Sequence, residues 1–366
     1  MTLFLLSIFG TYYIFLLLLL YGWESVMAKP NQGSERYLTI SIIVPFRNEE
    51  HTLEKLIQSL SSLQYPKDKL QIILVNDHSS DRSLELISPY LSATIQLIHL
   101  ELEDTGKKNA IAKGIETATS EIIVTTDADC THQHNWLSTI SDFFAFENTQ
   151  LVVGPVAIAP STSWFAKLQA IEFSSLIGSG AAMLHWGIPA MANGANLAFR
   201  KSAFVFVDGY EGNQHIASGD DEYLLKKIFG KFPSGVVFNN QSVSVVNTLP
   251  MPSLSSFFYQ RLRWASKWKY QKDLKVKATA LAVFAFQAFM VAMYFLAFGY
   301  RDDWVVLLIL TKIGLEGIFL FRVCQFLGIR FSLLPFVFVQ LAYPFYVVFT
   351  ALASIVARPV WKDRKS

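Results

Sequence analysis

The chain has 366 residues, with 31 Lys and Arg against 29 Asp and Glu, a formal charge of +2 that excludes a nucleic-acid binder working through a basic surface. Two cysteines, Cys130 and Cys324, exclude a disulfide framework and agree with a cytosolic face. The apolar share of 52% is high for a soluble protein, and the surplus sits at the two ends, leaving a middle long enough to bury its own core.

Residues 3–21 are nearly unbroken apolar sequence, a length that suits one bilayer crossing. A signal peptide is the alternative. No basic residue precedes the run and no small-x-small cleavage site follows it, so a retained anchor over residues 1–24 is expected.

Residues 37–44 then read as a strand ended by Pro45, and residues 49–63 as a helix with Leu53, Leu56, Ile57 and Leu60 on one face. Residues 70–75 are a second strand, followed by the polar turn from Asn76 to Asp81. Residues 84–91 read as helix, 94–98 as strand, 107–117 as helix and 121–126 as a fourth strand, which runs into Asp127-Ala128-Asp129. Alternating strands and helices predict an α/β fold with a mainly parallel sheet covered on both faces. Such sheets bind ligands at the carboxyl ends of their strands. Arg47, Asn48 and Glu49 fall there after the first strand, Asp77 after the second, and Asp127 and Asp129 after the fourth. A dinucleotide fold needs G-x-G-x-x-G after the first strand, and Val44 to Glu50 contains no glycine. A Walker-type lysine loop is also missing.

Asp127 and Asp129 can hold a hard divalent cation, Mg²⁺ or Mn²⁺, which takes oxygen ligands and keeps places for substrate phosphates. His132 and His134 follow closely and read as loop residues leading into a helix rather than ligands. Lys107 and Lys108, within Gly106-Lys107-Lys108-Asn109-Ala110, open a helix, and either can meet an anionic substrate. Asp220, Asp221 and Glu222 start a helix whose apolar residues are Tyr223, Leu224, Leu225 and Ile228. Acids favour a helix N-terminus on electrostatic grounds alone. The functional alternative is a general base, since a carboxylate beside another holds its proton more tightly.

On a helix, Gln260, Arg263, Trp264 and Lys267 share one face, and Leu254, Phe257, Phe258, Leu262 and Ala265 another. This describes an amphipathic interfacial region over residues 251–277. A guanidinium binds diphosphate and an indole stacks on a sugar ring, so the polar face suits both. Two basic clusters suit an anionic membrane surface: Lys267, Lys269, Lys272, Lys275 and Lys277, then Arg358, Lys362, Arg364 and Lys365.

Residues 278–357 carry the remaining apolar segments. Residues 278–298 are uncharged; residues 304–321 contain Lys312 and Glu316, four apart and able to pair on one helix face. Residues 331–356 are interrupted by Pro335 and Pro344 and fit one kinked span or two re-entrant pieces. Three full crossings after a cytosolic middle leave the C-terminus outside, whereas the basic cluster at 358–365 argues for inside, and the sequence leaves the two in conflict.

Taken in order, these motifs resemble family 2 of the glycosyltransferases, of GT-A fold, in its membrane-embedded branch. Ile43 to Glu50 resembles the family's opening strand and loop, and Val75 to Asp81 its second. Thr126-Asp127-Ala128-Asp129 resembles the D-x-D, and Asn193 to Arg200 the segment lining the acceptor side. Gly219-Asp220-Asp221 resembles the E-D pair with Asp220 in place of Glu. Gln260-Arg261-Leu262-Arg263-Trp264 matches Q-x-x-R-W. The resemblance covers residues 38–270 or so and implies a Rossmann-like GT-A domain over 36–250 between transmembrane helices.

It further implies an inverting hexosyltransferase. Glu49 and Asp77 would contact the nucleoside, usually uridine, with Pro45, Arg47 and Lys108 on the same donor side. Asp127 would lie near ribose and diphosphate, Asp129 on the metal, and Asp221 would be the base, with Asp220 beside it. Arg263 would steady the leaving diphosphate, and Trp264 and Gln260 would border the acceptor. The implied partners are a nucleotide sugar, a lipid or lipid-linked acceptor and the membrane, with the catalytic domain on the cytoplasmic face of a multi-pass cell-membrane protein. A processive polysaccharide synthase is the alternative within the class, less favoured because few charges lie within the apolar segments. A non-catalytic scaffold with a degenerate domain is the alternative outside it, disfavoured by the intact Asp129, Asp221 and Arg263-Trp264. A transporter would want the paired or broken polar helices that the ends lack.

Overall fold

The computed structural model describes residues 2–29, 37–212, 219–267, 273–300, 303–356, 360–361 and 364–365. Lys269, Lys272, Arg358 and Lys362 of the basic clusters lie outside the described residues. In chain order the main elements begin with α1 (Thr2–Met27), β1 (Ile40–Phe46), α2 (Leu53–Ser61), β2 (Leu70–Asn76), α3 (Ser83–Ile87) and β3 (Ile95–His99). There follow α4 (Lys107–Thr117), β4 (Ile122–Thr125), β5 (Cys130–Thr131), α5 (Trp136–Phe144), β6 (Leu151–Val153), β7 (Val156–Ile158) and α6 (Trp164–His185). Then come β8 (Leu197–Arg200), α7 (Lys201–Phe206), α8 (Asp220–Lys231), β9 (Val236–Phe238), β10 (Val246–Thr248) and α9 (Leu254–Ser266). The last long helices are α10 (Leu274–Tyr300), α11 (Asp303–Phe326) and α12 (Leu333–Val356).

Backbone packing divides the chain into two units. One comprises Lys29–Ala159 and Met191–Leu249; the other comprises Met1–Ala28, Pro160–Ala190 and Pro250–Ser366. Within the stretch 36–250, α6 packs with α1, α11 and α12. Small residues on α6 make that possible. A Cβ on Gly178 would stand 2.4 Å from Val323, and one on Gly22 of α1 2.8 Å from the Ala182 carbonyl, so backbones approach closely.

The sheet unit is built on a seven-stranded sheet ordered β3-β2-β1-β4-β8-β6-β9. The first four strands are parallel, as the alternation predicts; β8 runs antiparallel to both β4 and β6. A smaller sheet, β5-β10-β7, stands beside it. The buried strands are continuous apolar runs because helices cover both faces. Gly114 lets α4 lie against β1, where a Cβ would come within 2.5 Å of Ile43.

Strand β1 does not stop at Pro45; it continues to Phe46, opposite Asn76 of β2. The Ile43 carbonyl accepts from Thr126 on the β4 side, and the Phe46 carbonyl accepts from Asp77 on the β2 side. By alternation Pro45 faces β4, whose ladder with β1 ends at Ile43 and Thr125, so its missing N–H interrupts nothing.

In the helical unit, α1, α10, α11 and α12 are long and apolar enough to cross a membrane. Pro335 sits in the first turn of α12, where its missing N–H is harmless. Pro344 lies inside the helix, so Leu333–Val356 form one helix rather than two pieces. Proline at this position removes the bond to the Gln340 carbonyl four residues back. The Tyr294 hydroxyl of α10 donates to that carbonyl at 3.0 Å. The Gln340 side chain accepts from Lys312 at 2.8 Å, and Lys312 pairs with Glu316 at 3.0 Å, the pairing the spacing predicts. Tyr12 of α1 donates to Glu316 at 2.6 Å, so the N-terminal helix is bound into this unit.

Removing the Tyr294 hydroxyl leaves a buried carbonyl without its donor. Tyr294→Phe is expected to destabilise the protein by about 1 kcal/mol, within the range for hydrogen bonds between membrane helices. Pro344→Ala restores the backbone donor, so the double variant should recover most of the loss. Thermal unfolding in detergent across this double-mutant cycle checks it; additive losses would show that Tyr294 does not serve the carbonyl.

Candidate active site

The parallel strands β1, β2 and β4 end at one edge, which brings their polar loops together. The first two loops are laced: Asn48 N–H donates to Ser79 Oγ at 3.1 Å, Ser80 N–H to Asn48 Oδ1 at 2.8 Å, and Glu50 N–H to Asp81 Oδ2 at 2.9 Å. Asn48 takes φ of 51° and His78 of 54°, left-handed turns that amide and imidazole side chains tolerate better than bulkier ones. Arg47 Nη1 donates to the Asp77 carbonyl at 3.1 Å. Asp77 is buried, and its Oδ2 accepts the Gly106 N–H at 3.0 Å. That bond fixes the entrance to α4 and with it the lysines that follow.

Lys107 meets the acids. Its ammonium lies 2.6 Å from Asp127 Oδ1, while Lys108 is buried on α4. A Cβ built on Gly194 would find Lys107 Nζ at 3.3 Å, Asp220 Oδ2 at 3.5 Å and Asp221 Oδ2 at 3.8 Å, so one ammonium and two carboxylates surround this glycine. Burial would lower the Lys107 pKa, but Asp127, Asp220 and Asp221 together raise it above its ordinary value, and the group is a permanent cation. Gly194 also joins the elements. Its N–H donates to Asp221 Oδ2 at 3.0 Å, and its carbonyl accepts from Thr125 Oγ1 at 2.7 Å, which ties the start of α8 to the end of β4. Gly219, at φ 81°, caps α8 in the left-handed conformation that glycine takes freely and sends both acids into its first turn.

Asp129 accepts from Thr248 Oγ1 at 3.1 Å. Burial, then the charges of Asp127 and Glu49, push its pKa up to about 6. Glu49 itself accepts from Thr52 Oγ1 at 2.9 Å at the start of α2. Among the described residues, no three His, Cys, Asp or Glu converge as a complete cage. Asp127 and Asp129, an electronegative pair of hard oxygen donors, fit a Mg²⁺ or Mn²⁺ ion that completes its shell with water and substrate phosphate.

Both histidines bond groups of the sheet unit. His132 is buried, with Thr126 Oγ1 at 2.9 Å from Nε2 and Ser59 Oγ at 3.2 Å from Nδ1, and burial lowers its pKa to about 3. His134 Nδ1 bonds the Ser62 carbonyl at 2.8 Å. Asn196 anchors the Gly194 segment from below: it accepts from Trp136 Nε1 at 3.0 Å and donates to the carbonyls of Pro155 and Ser244 at 2.8 and 3.0 Å. Tyr210 and Thr248 join the site without a motif to announce them. The charges of Asp220 and Asp221 add to burial in raising the Tyr210 phenol well above its usual pKa.

Gln260, Arg263 and Trp264 lie on α9, in the helical unit, each half-buried. Ser253 and Ser256 form a capping box at the start of that helix. Arg261, between Gln260 and Arg263, is buried: its guanidinium donates to both oxygens of Glu172 on α6, at 3.1 and 2.5 Å.

Residues 41–205 match the family model described as "Glycosyl transferase family 2". The chain is 28% identical over 249 residues to a poly-β-1,6-N-acetyl-D-glucosamine synthase of Staphylococcus aureus (strain COL), covering 66% of this chain and 57% of the relative. It is 23% identical over 268 residues to a protein of Bacillus subtilis (strain 168) named as the probable glycosyltransferase YdaM, covering 68% of this chain and 59% of that one. The chain thus spans less than two thirds of the length of these relatives. Among solved structures, a mannosyltransferase from Pyrobaculum calidifontis, in complex with GDP-Man and Mn²⁺, shares the fold. Its TM-score is 0.57 at 16% identity, over 96% of this chain and 97% of that one.

Because Asp129 holds its proton more tightly folded than its ordinary value of 3.8, the metal-free protein loses stability as pH rises from about 4 through about 6. At about 1.4 kcal/mol per pKa unit, the full loss is about 3 kcal/mol. Asp129→Asn should flatten that slope, and protection by Mn²⁺ should grow with pH over the same interval in the parent protein alone. Denaturant unfolding between pH 4 and 7 measures both; identical slopes in the two proteins would show that Asp129 does not titrate there.

Proposed function

We propose that the chain, whose residues 41–205 match the model described as "Glycosyl transferase family 2", moves a sugar from a nucleotide-sugar donor, a UDP-sugar first among candidates, to a membrane-associated acceptor with inversion. The observation that carries this is the grouping of Asp127, Lys107, Gly194, Asp220 and Asp221 at the carboxyl edge of the parallel strands. A nucleotide diphosphate needs cations, an attacking hydroxyl needs a base, and this edge offers both within one set of side chains.

In the proposed reaction the acceptor hydroxyl attacks the anomeric carbon from the face opposite the diphosphate. Asp221 takes the hydroxyl proton as the new bond forms, and the bond to the diphosphate oxygen breaks in the same displacement. The Gly194 N–H holds Oδ2 of Asp221 in place. Lys107 stands among Asp127, Asp220 and Asp221 and limits their mutual repulsion. A divalent cation on Asp127 and Asp129 would supply positive charge to the departing nucleotide. Arg47, Glu49 and Asp77 keep the donor side, and Arg263, Trp264 and Gln260 keep the roles the resemblance assigns them, at the diphosphate and the acceptor. The four membrane-length helices support a membrane-bound, multi-pass protein; in this reading the acceptor is membrane-associated and the catalytic domain lies on the cytoplasmic face.

A second reading has its own support. The staphylococcal relative is named as a synthase of a polysaccharide, which favours repeated transfer. Sizing the product by mass spectrometry distinguishes one added sugar from a ladder.

The test uses purified protein with Mn²⁺, extracted membrane lipids and a panel of UDP-N-acetylglucosamine, UDP-glucose and GDP-mannose. Nucleotide release that depends on lipid and stops with EDTA is expected. Asp221→Asn should lower that release by about 10²- to 10⁴-fold, the usual contribution of a general base, with nucleotide binding retained. Full activity in this variant would remove Asp221 from the mechanism. No release from any donor in the parent protein would return the scaffold reading.

A further inference from the structure

The proposed acceptor residues sit on α9 either side of a residue that no motif role covers. Arg261 is 4% exposed and Glu172 6%, which makes a buried ion pair. The guanidinium uses its whole fork. Nε and Nη2 donate to the two Glu172 oxygens, and Nη1 donates to Gln260 Oε1 at 2.5 Å. Its carbon lies 4.3 Å from the Trp264 ring centre and 4.5 Å from that of Phe257. Trp264 also meets Phe173 of α6, at 6.1 Å between ring centres. Glu172 takes a further hydrogen bond from Tyr346 of α12 at 3.3 Å.

Two buried opposite charges gain little stability over an apolar pair of the same size, because taking both out of water offsets their attraction. Stability alone therefore does not call for an arginine at this position. A planar guanidinium does something else here: it fixes an amide and an indole in one geometry relative to α6. We propose that Arg261 is the positioning residue of the acceptor side, holding Gln260 and Trp264 in a fixed relation to each other through its anchorage on Glu172. This rests on the transferase reading, and on those two residues bordering the acceptor. Arg263, the arginine of the motif, meets the leaving group in that reading, so the two arginines divide the work between orientation and charge.

The experiment separates positioning from folding by using two kinds of variant. In Glu172→Met/Arg261→Met both charges go together and an apolar pair fills the space, so the helix stays packed while the guanidinium is lost. Arg261→Lys keeps the charge opposite Glu172 but cannot reach Glu172, Gln260 and the Trp264 face at once. Each full-length variant is assayed in detergent with the nucleotide sugar and lipid extract that the parent protein turns over. Three quantities are read: thermal unfolding, hydrolysis of the donor by water, and transfer to lipid. Both variants should keep nucleotide binding and donor hydrolysis within about threefold of the parent. Transfer should fall by about 100-fold, with a raised KM for the acceptor, the scale of loss that a misplacement of about 1 Å produces. A purely structural role predicts that the double variant, melting like the parent, transfers like the parent; that result overturns the inference. So does loss of hydrolysis and transfer in parallel in Arg261→Lys. If the parent protein itself neither hydrolyses nor transfers from any donor, the transferase reading falls and the inference with it, an outcome distinct from the other two.

Discussion

Negative charge gathered at one sheet edge is the constraint on which the sheet unit turns. Glu49, Asp127 and Asp129 lie near one another, and Asp220 and Asp221 approach from α8. Carboxylates this close raise one another's proton affinity unless a cation lies among them. Lys107 is such a cation, and its position is set by features remote from charge. Gly114 lets α4 press on β1, Asp77 pins Gly106 just before the lysine, and Gly194 joins α8 to β4. Packing and electrostatics are thus one design at this edge: a bulkier residue at 114 would move the charge that balances the acids.

The sequence exposed the parts of this edge that follow from local pattern. The four parallel strands and the helix Lys107–Thr117 stand where periodicity put them, because each is a buried strand or an amphipathic helix with its own repeat. Pro45 misled as a strand end, since a proline on the side of β1 that has outrun its neighbour costs no hydrogen bond. Between Lys107 and Lys108 the sequence could not choose, because adjacent helix residues point about 100° apart and only the packing of α4 says which way. Tyr210 and Thr248 carry no local signal at all. Thr248 reaches Asp129 from 119 residues away, and Tyr210 meets Asp220 and Asp221 only through the packing around α8.

In the helical unit the same limit applies to α6 and Arg261. Helix α6 lies inside the catalytic stretch of the sequence, and its Gly178 shows its purpose only when α11 lies against it. A helical projection places Arg261 between two faces and leaves its burial invisible, because Glu172 is 89 residues away. The intrahelical pair of Lys312 and Glu316 was legible for the opposite reason, since four residues on a helix fix the distance.

Pro344 gives α12 a property that straight helices lack. The proline deletes the backbone bond that would stiffen the helix at this turn, so bending concentrates there, and the Tyr294 hydroxyl takes up the liberated carbonyl. A phenol on a rotatable side chain follows a moving acceptor over a short arc, so the joint can flex while the carbonyl stays shielded from hydrocarbon. On one side of the joint Gln340 holds Lys312; on the other Tyr346 reaches Glu172, the anchor of Arg261. Pro344 thus divides α12 into two stretches, each tied to a different buried ion pair.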